Sequence, residues 1–234
     1  MRSRSVTASA AFSAAVAAAL NSCVQAAIAL AAPPGLANGD KFRFLFVTRT
    51  TTSGDSPHPT YYDAVVTADA GGATYNGSTI SWKAVVSAGS TVTARTNVGG
   101  FGSSAGVYLV DGTKIAHDMG STSGGLWSNL LAAPNIQIDS TALGSGIQRV
   151  WTGSNSSGLQ KLTFGGLLMT LGESNAGVGN ANSVGAWLEY SLDASSTSFR
   201  LFGVSQEFTY VAVPAPATIV LLSATGLIRS RRLR

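Results

Sequence analysis

Between Asp40 and Thr50, in DKFRFLFVTRT, Phe42, Phe44, Phe46 and Thr48 alternate with Lys41, Arg43, Leu45 and Val47. Successive side chains on a strand point to opposite faces, so this pattern predicts a strand with one face well buried. In TYYDAVVTADA, Tyr62, Val65, Val66 and Asp69 recur at helical spacing, predicting a short amphipathic helix that stops at Gly71-Gly72. Period two returns in ISWKAVVS through Ile80, Trp82, Ala84 and Val86. VYLVDGTKIA sets Asp111-Gly112 between two apolar runs, a hairpin signal. QRVWTGS, TFGGLLMTL, GAWLEYSL, FRLFGVS and EFTYVAV predict further strands. LGESNAGVGNANSVGAW, Leu171 to Trp187, is rich enough in Gly and Asn to predict an exposed loop. With no fixed-period repeat and no Pro/Ser-rich linker, residues 27–211 are expected to form one strand-rich α+β domain.

Composition alters the picture chiefly at the ends. The 234 residues are 45% apolar, enough for a core, but only 11% charged, far below the globular average of about 25%. Gly, Ser, Thr, Ala and Asn make up the difference, which suits turn-rich β structure in an exported protein. Six of the fifteen Lys and Arg sit at the extremities, leaving nine in the body against all eleven acids, a net charge of −2 there. The high overall pI is therefore a property of the ends, and the body offers no basic surface for nucleic acid.

The first 26 residues carry Arg2 and Arg4, then an Ala-rich uncharged stretch, the layout of a secretory signal helix. VQA before Ala27 is the expected cleavage site, with ALA before Ala32 as the alternative. Leu20 to Cys23, LNSC, also approaches a lipobox, which would leave a lipoprotein retained through Cys23. Cleavage at Ala27 removes the sole cysteine, so the mature body would hold no disulfide.

Residues 212–234 have a different character. Pro214 and Pro216 prevent a continuous helix through VPAP. A helix from Ala217 to Ile228 would be about 18 Å long, a marginal membrane span against the ~30 Å hydrocarbon core. Its apolar surface comes from Ala217, Ile219, Val220, Leu221, Leu222, Leu227 and Ile228. Arg229, Arg231, Arg232 and Arg234 then form a stop-transfer cluster held on the cytoplasmic side. The alternative is that TIVLL forms a last strand with a solvated basic tail. Val213-Pro214-Ala215-Pro216, the short apolar helix and the Arg cluster together resemble a PEP-CTERM sorting signal. That resemblance implies recognition by an exosortase-type membrane enzyme, cleavage near the Pro motif, and delivery to the envelope or the exopolysaccharide matrix. The family usually has Glu where this chain has Ala215.

The body is similar to the endostatin-like branch of the C-type-lectin-like fold. The features that match are an early strand and helix, SWKAVVSAGSTVTAR, VYLVDGTKIA, LWSNLL, VWTGSNSSG, AWLEY and a closing RLFGVSQ. The fold's disulfides cannot form here, and the Glu-Pro-Asn and Trp-Asn-Asp motifs of calcium-dependent sugar sites are missing. Calcium-type lectin activity is thus not implied.

Candidate chemistry is sparse. His58 lies between two prolines. His117 and Asp118 are neighbours that a strand would point to opposite faces. The acids do not cluster as a calcium loop and the histidines have no zinc spacing, so no metal or cofactor is expected. Asp111, Asp118, Glu173 and Glu189 would serve a polysaccharide hydrolase only if two of them converged over a groove. Among Trp82, Trp127, Trp151 and Trp187, Trp127 follows a Gly/Ser stretch and is the best candidate for an exposed sugar platform. The expected function is an exported, non-enzymatic envelope or matrix protein whose domain binds or organises extracellular polysaccharide; the alternative is a secreted hydrolase acting on that polymer.

Overall fold

The stretch Lys41–Val47 is a strand buried on both faces rather than one. Phe42, Phe44 and Phe46 enter one core, while Leu45 and Val47 enter a second on the opposite side. In the computed structural model the described residues are 27–212. The expected signal segment (1–26), Val213–Pro216, the apolar run and the terminal arginines lie outside the described residues.

In chain order the elements are β1 (Ala29–Leu30), β2 (Lys41–Val47), β3 (Thr52–Ser53), α1 (Pro59–Asp69), β4 (Thr74–Tyr75), β5 (Ser78–Thr79) and β6 (Trp82–Ala84). They continue with α2 (Ala94–Val98), β7 (Gly106–Leu109), β8 (Lys114–Ala116), β9 (Arg149–Trp151), β10 (Asn175–Asn180), β11 (Ser191–Ala194), β12 (Ser198–Ser205) and β13 (Phe208–Thr209). A ten-stranded mixed sheet runs β11-β10-β9-β12-β2-β7-β8, and β1-β4-β5 form a small separate one. β12 is the hub: Gly203 pairs with Phe46 of β2 on one edge and Ala84 of β6 on the other. Farther up the same strand, Arg200 and Leu201 pair with β9, and Ser198 and Phe199 with β3. The body is therefore strand-rich and sheet-dominated, and among the described residues no helix is long and apolar enough to cross a membrane.

α1 begins with Pro59 at a position whose N–H would be unsatisfied anyway. It gives way to Gly71 and Gly72, both at positive φ, where the left-handed backbone stops the helix. Its inner face places Tyr62 and Val66 in the first core along with the three phenylalanines of β2. Two carboxylates on that face are also buried, and both are answered. Asp63 accepts from Lys83 Nζ (2.7 Å), the Ala84 N–H (2.8 Å) and Asn97 Nδ2 (3.0 Å), tying α1 to β6 and α2. Burial lowers the pKa of Arg43, on the second face of β2, against the pull of Glu207. Its Nη1 donates to the carbonyls of Val98 and Ser205.

Three expectations are corrected. The Gly/Asn-rich stretch Leu171–Trp187 contains β10, an interior strand between β9 and β11, with Ala176 to Asn180 buried. Its glycines are what let the neighbouring chain come close: a Cβ at Gly179 would stand 1.9 Å from the Trp187 carbonyl oxygen. TFGGLLMTL is a tight reversal rather than a strand, because Gly166 (φ +78°) turns the chain and Leu162 bridges back to Leu168. GAWLEYSL becomes a strand only at Ser191; before that it lies across β10, held by Asn180 N–H to Ala186 O and Tyr190 N–H to Val178 O.

Candidate functional site

β2 and β3 are separated by Thr48-Arg49-Thr50-Thr51, and this loop is fixed from two sides. Asp69, the last residue of α1, accepts the N–H groups of Arg49 (2.8 Å) and Thr50 (3.2 Å) and the Thr50 hydroxyl (3.0 Å). From β12, Arg200 Nη1 donates to the carbonyls of Thr48 (2.7 Å) and Arg49 (3.0 Å). Thr48 is fully buried; its hydroxyl donates to Thr50 O and accepts from the Leu201 N–H. An anion therefore gathers the loop's donors and a cation its acceptors, which uses the charge-assisted bonds that are the strongest available.

Beside this loop lies a cleft of about 350 Å³ lined by Thr51, Ile147, Gln148, Arg149, Ser198, Phe199 and Arg200. Phe199 is half-buried and supplies the aromatic surface. Its ring packs on Trp151 at 4.8 Å between centroids, and the Arg149 guanidinium stands 5.7 Å from its centre. Trp151 is itself immobilised by Nε1 donating to Thr52 O at 3.0 Å. Ile147 is 54% exposed at the rim. Arg149 pairs with Asp193 and Arg49 with Asp139, whereas Arg200 meets no carboxylate among the described residues and keeps donors beyond Nη1. The lining thus combines an apolar floor, two guanidinium forks, an amide and two hydroxyls, and contains no acid.

A second polar cavity of about 430 Å³ is lined by Leu36, Asp40, Lys41, Tyr108, Lys114 and His117 among others. His117 faces out after β8. Asp118 turns away to accept the Gly120 N–H at 2.7 Å, so the two do not form a catalytic pair. Nor are the other acids brought together by hydrogen bonding. Asp111 accepts the Thr113 N–H within its own hairpin, Glu173 is exposed, and Glu189 binds Lys161 Nζ (2.6 Å) and the Ser156 N–H (2.7 Å). Burial pushes the Glu189 carboxyl up, but the Lys161 and Ser156 bonds outweigh it and hold the group below its ordinary value. A general acid needs the reverse shift. Among the described residues no group of three or more His, Cys, Asp or Glu is placed to hold a metal ion.

Trp127 is not an exposed platform. It is 1% exposed, with its centroid 6.4 Å from that of Trp187 and its ring so close to Gly158 that a Cβ there would approach to 2.2 Å. The Gly/Ser run before it folds back on itself, Trp127 N–H to Gly120 O, and brings the ring into the second core. The other three tryptophans are buried as well. Phe199, the aromatic of the cleft beside the clamped loop, had one visible signal, its place in SFRLFGVS between a hydroxyl and an arginine at the start of a strand. Compared with protein-family models and with curated proteins, the chain matches none.

Proposed function

We propose that the body is a non-enzymatic polysaccharide-binding domain of an exported envelope or matrix protein, and that its ligand lies in the Phe199 cleft. What supports this most is the joining of an aromatic and aliphatic floor to guanidinium and hydroxyl donors beside a clamped loop. Sugar rings present apolar C–H faces and hydroxyl edges, and such a surface answers both. Arg200, which meets no carboxylate among the described residues, favours polymers carrying carboxylates, which guanidinium groups meet in bidentate fashion. The engagement of Asp111, Asp118 and Glu189 elsewhere favours binding over hydrolysis.

The two ends of the chain complete this reading. A cleaved signal helix would export the protein. The PEP-CTERM-like segment, Val213 to Arg234, would anchor it for an exosortase-type enzyme and pass it to the envelope or matrix. The C-type-lectin-like assignment of the body is supported by the early strand and helix and by the closing strand β12 lying beside β2.

The test is retention on a uronate polymer, polygalacturonate or alginate, against neutral dextran. Wild-type protein should be retained on the acidic polymers and released by salt, because exposed charge pairs are screened. Phe199→Ala should weaken retention several-fold with the fold intact, whereas Trp127→Ala should lower stability instead, as a core deletion of about 3–5 kcal/mol. A wild-type chain retained on no polymer, or a Phe199→Ala chain that binds unchanged, removes the reading. Mass spectrometry of both mature termini tests the export and sorting steps: an intact Arg234 counts against sorting, and a lipid on Cys23 against the Ala27 cleavage.

A further inference from the structure

The reversal at residues 162–168 projects a group of apolar side chains into solvent. Phe164 is 111% exposed, Leu167 67%, Leu162 54% and the nearby Leu159 43%. From Leu162 to Met169 there is no charged side chain. The polar side chains at the base of the hairpin are turned inward: Lys161 Nζ donates to Glu189, and Gln160 Nε2 to the Gly89 carbonyl. Polar groups therefore face the body and apolar groups face away from it, on a convex tip.

We propose that this tip inserts into the interfacial layer of a lipid bilayer. Part of the backbone is prepared for such an environment, where an unpaired polar group is costly. Thr163 N–H donates to Leu167 O and Gly166 N–H to Thr163 O, while Leu167 N–H donates to the Thr163 hydroxyl and Met169 N–H to Lys161 O. The Phe164 and Gly165 N–H groups at the apex, and those of Leu162 and Leu168 below it, have no partner among the described residues. Ester and headgroup oxygens can meet them, which fixes the depth at the interface, the outer ~5–10 Å, rather than the hydrocarbon centre. A second copy is a poorer occupant. The four side chains offer a few hundred Å², well short of the ~800 Å² per partner of a stable interface, and their convex shape gives a matching convex tip nothing to fill. The inference uses none of the residues of the Phe199 cleft and stands without it.

The experiment exploits the four native tryptophans, which are between 0% and 3% exposed and hence a silent background. The full-length chain with Phe164→Trp is mixed with vesicles of phosphatidylcholine, with and without one quarter phosphatidylglycerol, containing lipids brominated near the glycerol. The expected result is a blue shift and bromolipid quenching absent from wild-type protein, equal on neutral and anionic vesicles and insensitive to salt, since the tip is uncharged. Adding Leu162→Ser and Leu167→Ser should reduce the quenched fraction about tenfold or more, given the apolar burial each leucine contributes. Solvent-like, unquenched emission on vesicle-bound chain overturns the proposal, as does failure of the chain to bind vesicles. Quenching that appears only with phosphatidylglycerol overturns it in favour of the basic residues. A concentration-dependent blue shift without lipid overturns it in favour of self-association.

Discussion

Gly179→Ala isolates the physical reason that a Gly-rich stretch became an interior strand. Gly179 pairs with Val150 of β9, and a methyl placed on it would lie 1.9 Å from the Trp187 carbonyl oxygen and 3.1 Å from Thr152 Cγ2. Non-bonded heavy atoms settle near ~3.5 Å, so the Trp187 backbone must retreat by about 1.5 Å. Two hydrogen bonds flank the point of contact, Thr152 Oγ1 to Leu188 O at 2.6 Å and Asn180 N–H to Ala186 O at 3.0 Å. Each is worth about 1 kcal/mol. Overpacking against rigid backbone adds about 1–3 kcal/mol, and reduced freedom of the unfolded chain returns about 0.4–1. The net loss is about 2–4 kcal/mol, which at a urea slope of ~2 kcal/mol/M lowers the midpoint by about 1–2 M. Gly165→Ala is the matched control, since its Cβ meets only Thr163 Oγ1 at 3.9 Å, and its midpoint should stay near wild type. Urea unfolding followed by tryptophan fluorescence and circular dichroism measures both. A Gly179→Ala midpoint indistinguishable from that of Gly165→Ala would refute the close-approach account.

Asp69→Asn should free the Thr48–Thr51 loop. One charged acceptor serving three donors is lost, for about 1–3 kcal/mol, and hydrogen exchange at the Arg49 and Thr50 amides should accelerate; unchanged exchange there would mean that Asp69 does not hold the loop. Stability should also fall with acid in a defined window. The Glu207 carboxyl is held down by hydrogen bonds from Lys41 and Ser103, and Glu189, despite its burial, by Lys161 and Ser156. Protons therefore bind the unfolded chain more readily, so this stabilisation is present above pH 4.5, the ordinary value for glutamate, and is lost as pH falls through the lower folded values. Urea midpoints between pH 6 and 3 should decline in wild-type protein and decline less in Glu189→Gln/Glu207→Gln; parallel curves would exclude these two groups.

What was legible in the sequence followed from side-chain periodicity. The β2 alternation, the α1 spacing with its Gly stop, and the Asp111-Gly112 hairpin are local patterns that burial simply confirms. What was not legible depends on distant backbone. Lys41, Arg43 and the aromatics of β2 look like a strand with a wet face, but β12 and β7 flank it and a second core covers that face. In an interior strand both faces read as apolar or neutralised, and Arg43 is tolerated because carbonyls 55 and 162 residues away accept from it. β10 was hidden by the same logic. Its glycines carry no periodicity because the packing they serve is between main chains, and that cannot be inferred from a single segment.

The site illustrates the same limit in a sharper form. Tryptophan is the natural residue to nominate for a sugar platform, yet large aromatic area is also what two cores on either side of one sheet need most. All four tryptophans were consumed there, two of them with each other in the second core. The smaller Phe199 reaches a cleft near the point where one edge of β12 passes from pairing with β3 to pairing with β2, opposite the edge that pairs with β9. There the loop Thr48–Thr51 joins β2 to β3, and the charged anchors Asp69 and Arg200 hold it in place. Phe199 therefore owes its place to the pairing of β12, whereas Phe164 owes its exposure to the reversal at residues 162–168. The aromatic floor and the clamp on the rim thus come from adjacent residues of one strand, Phe199 and Arg200 of β12.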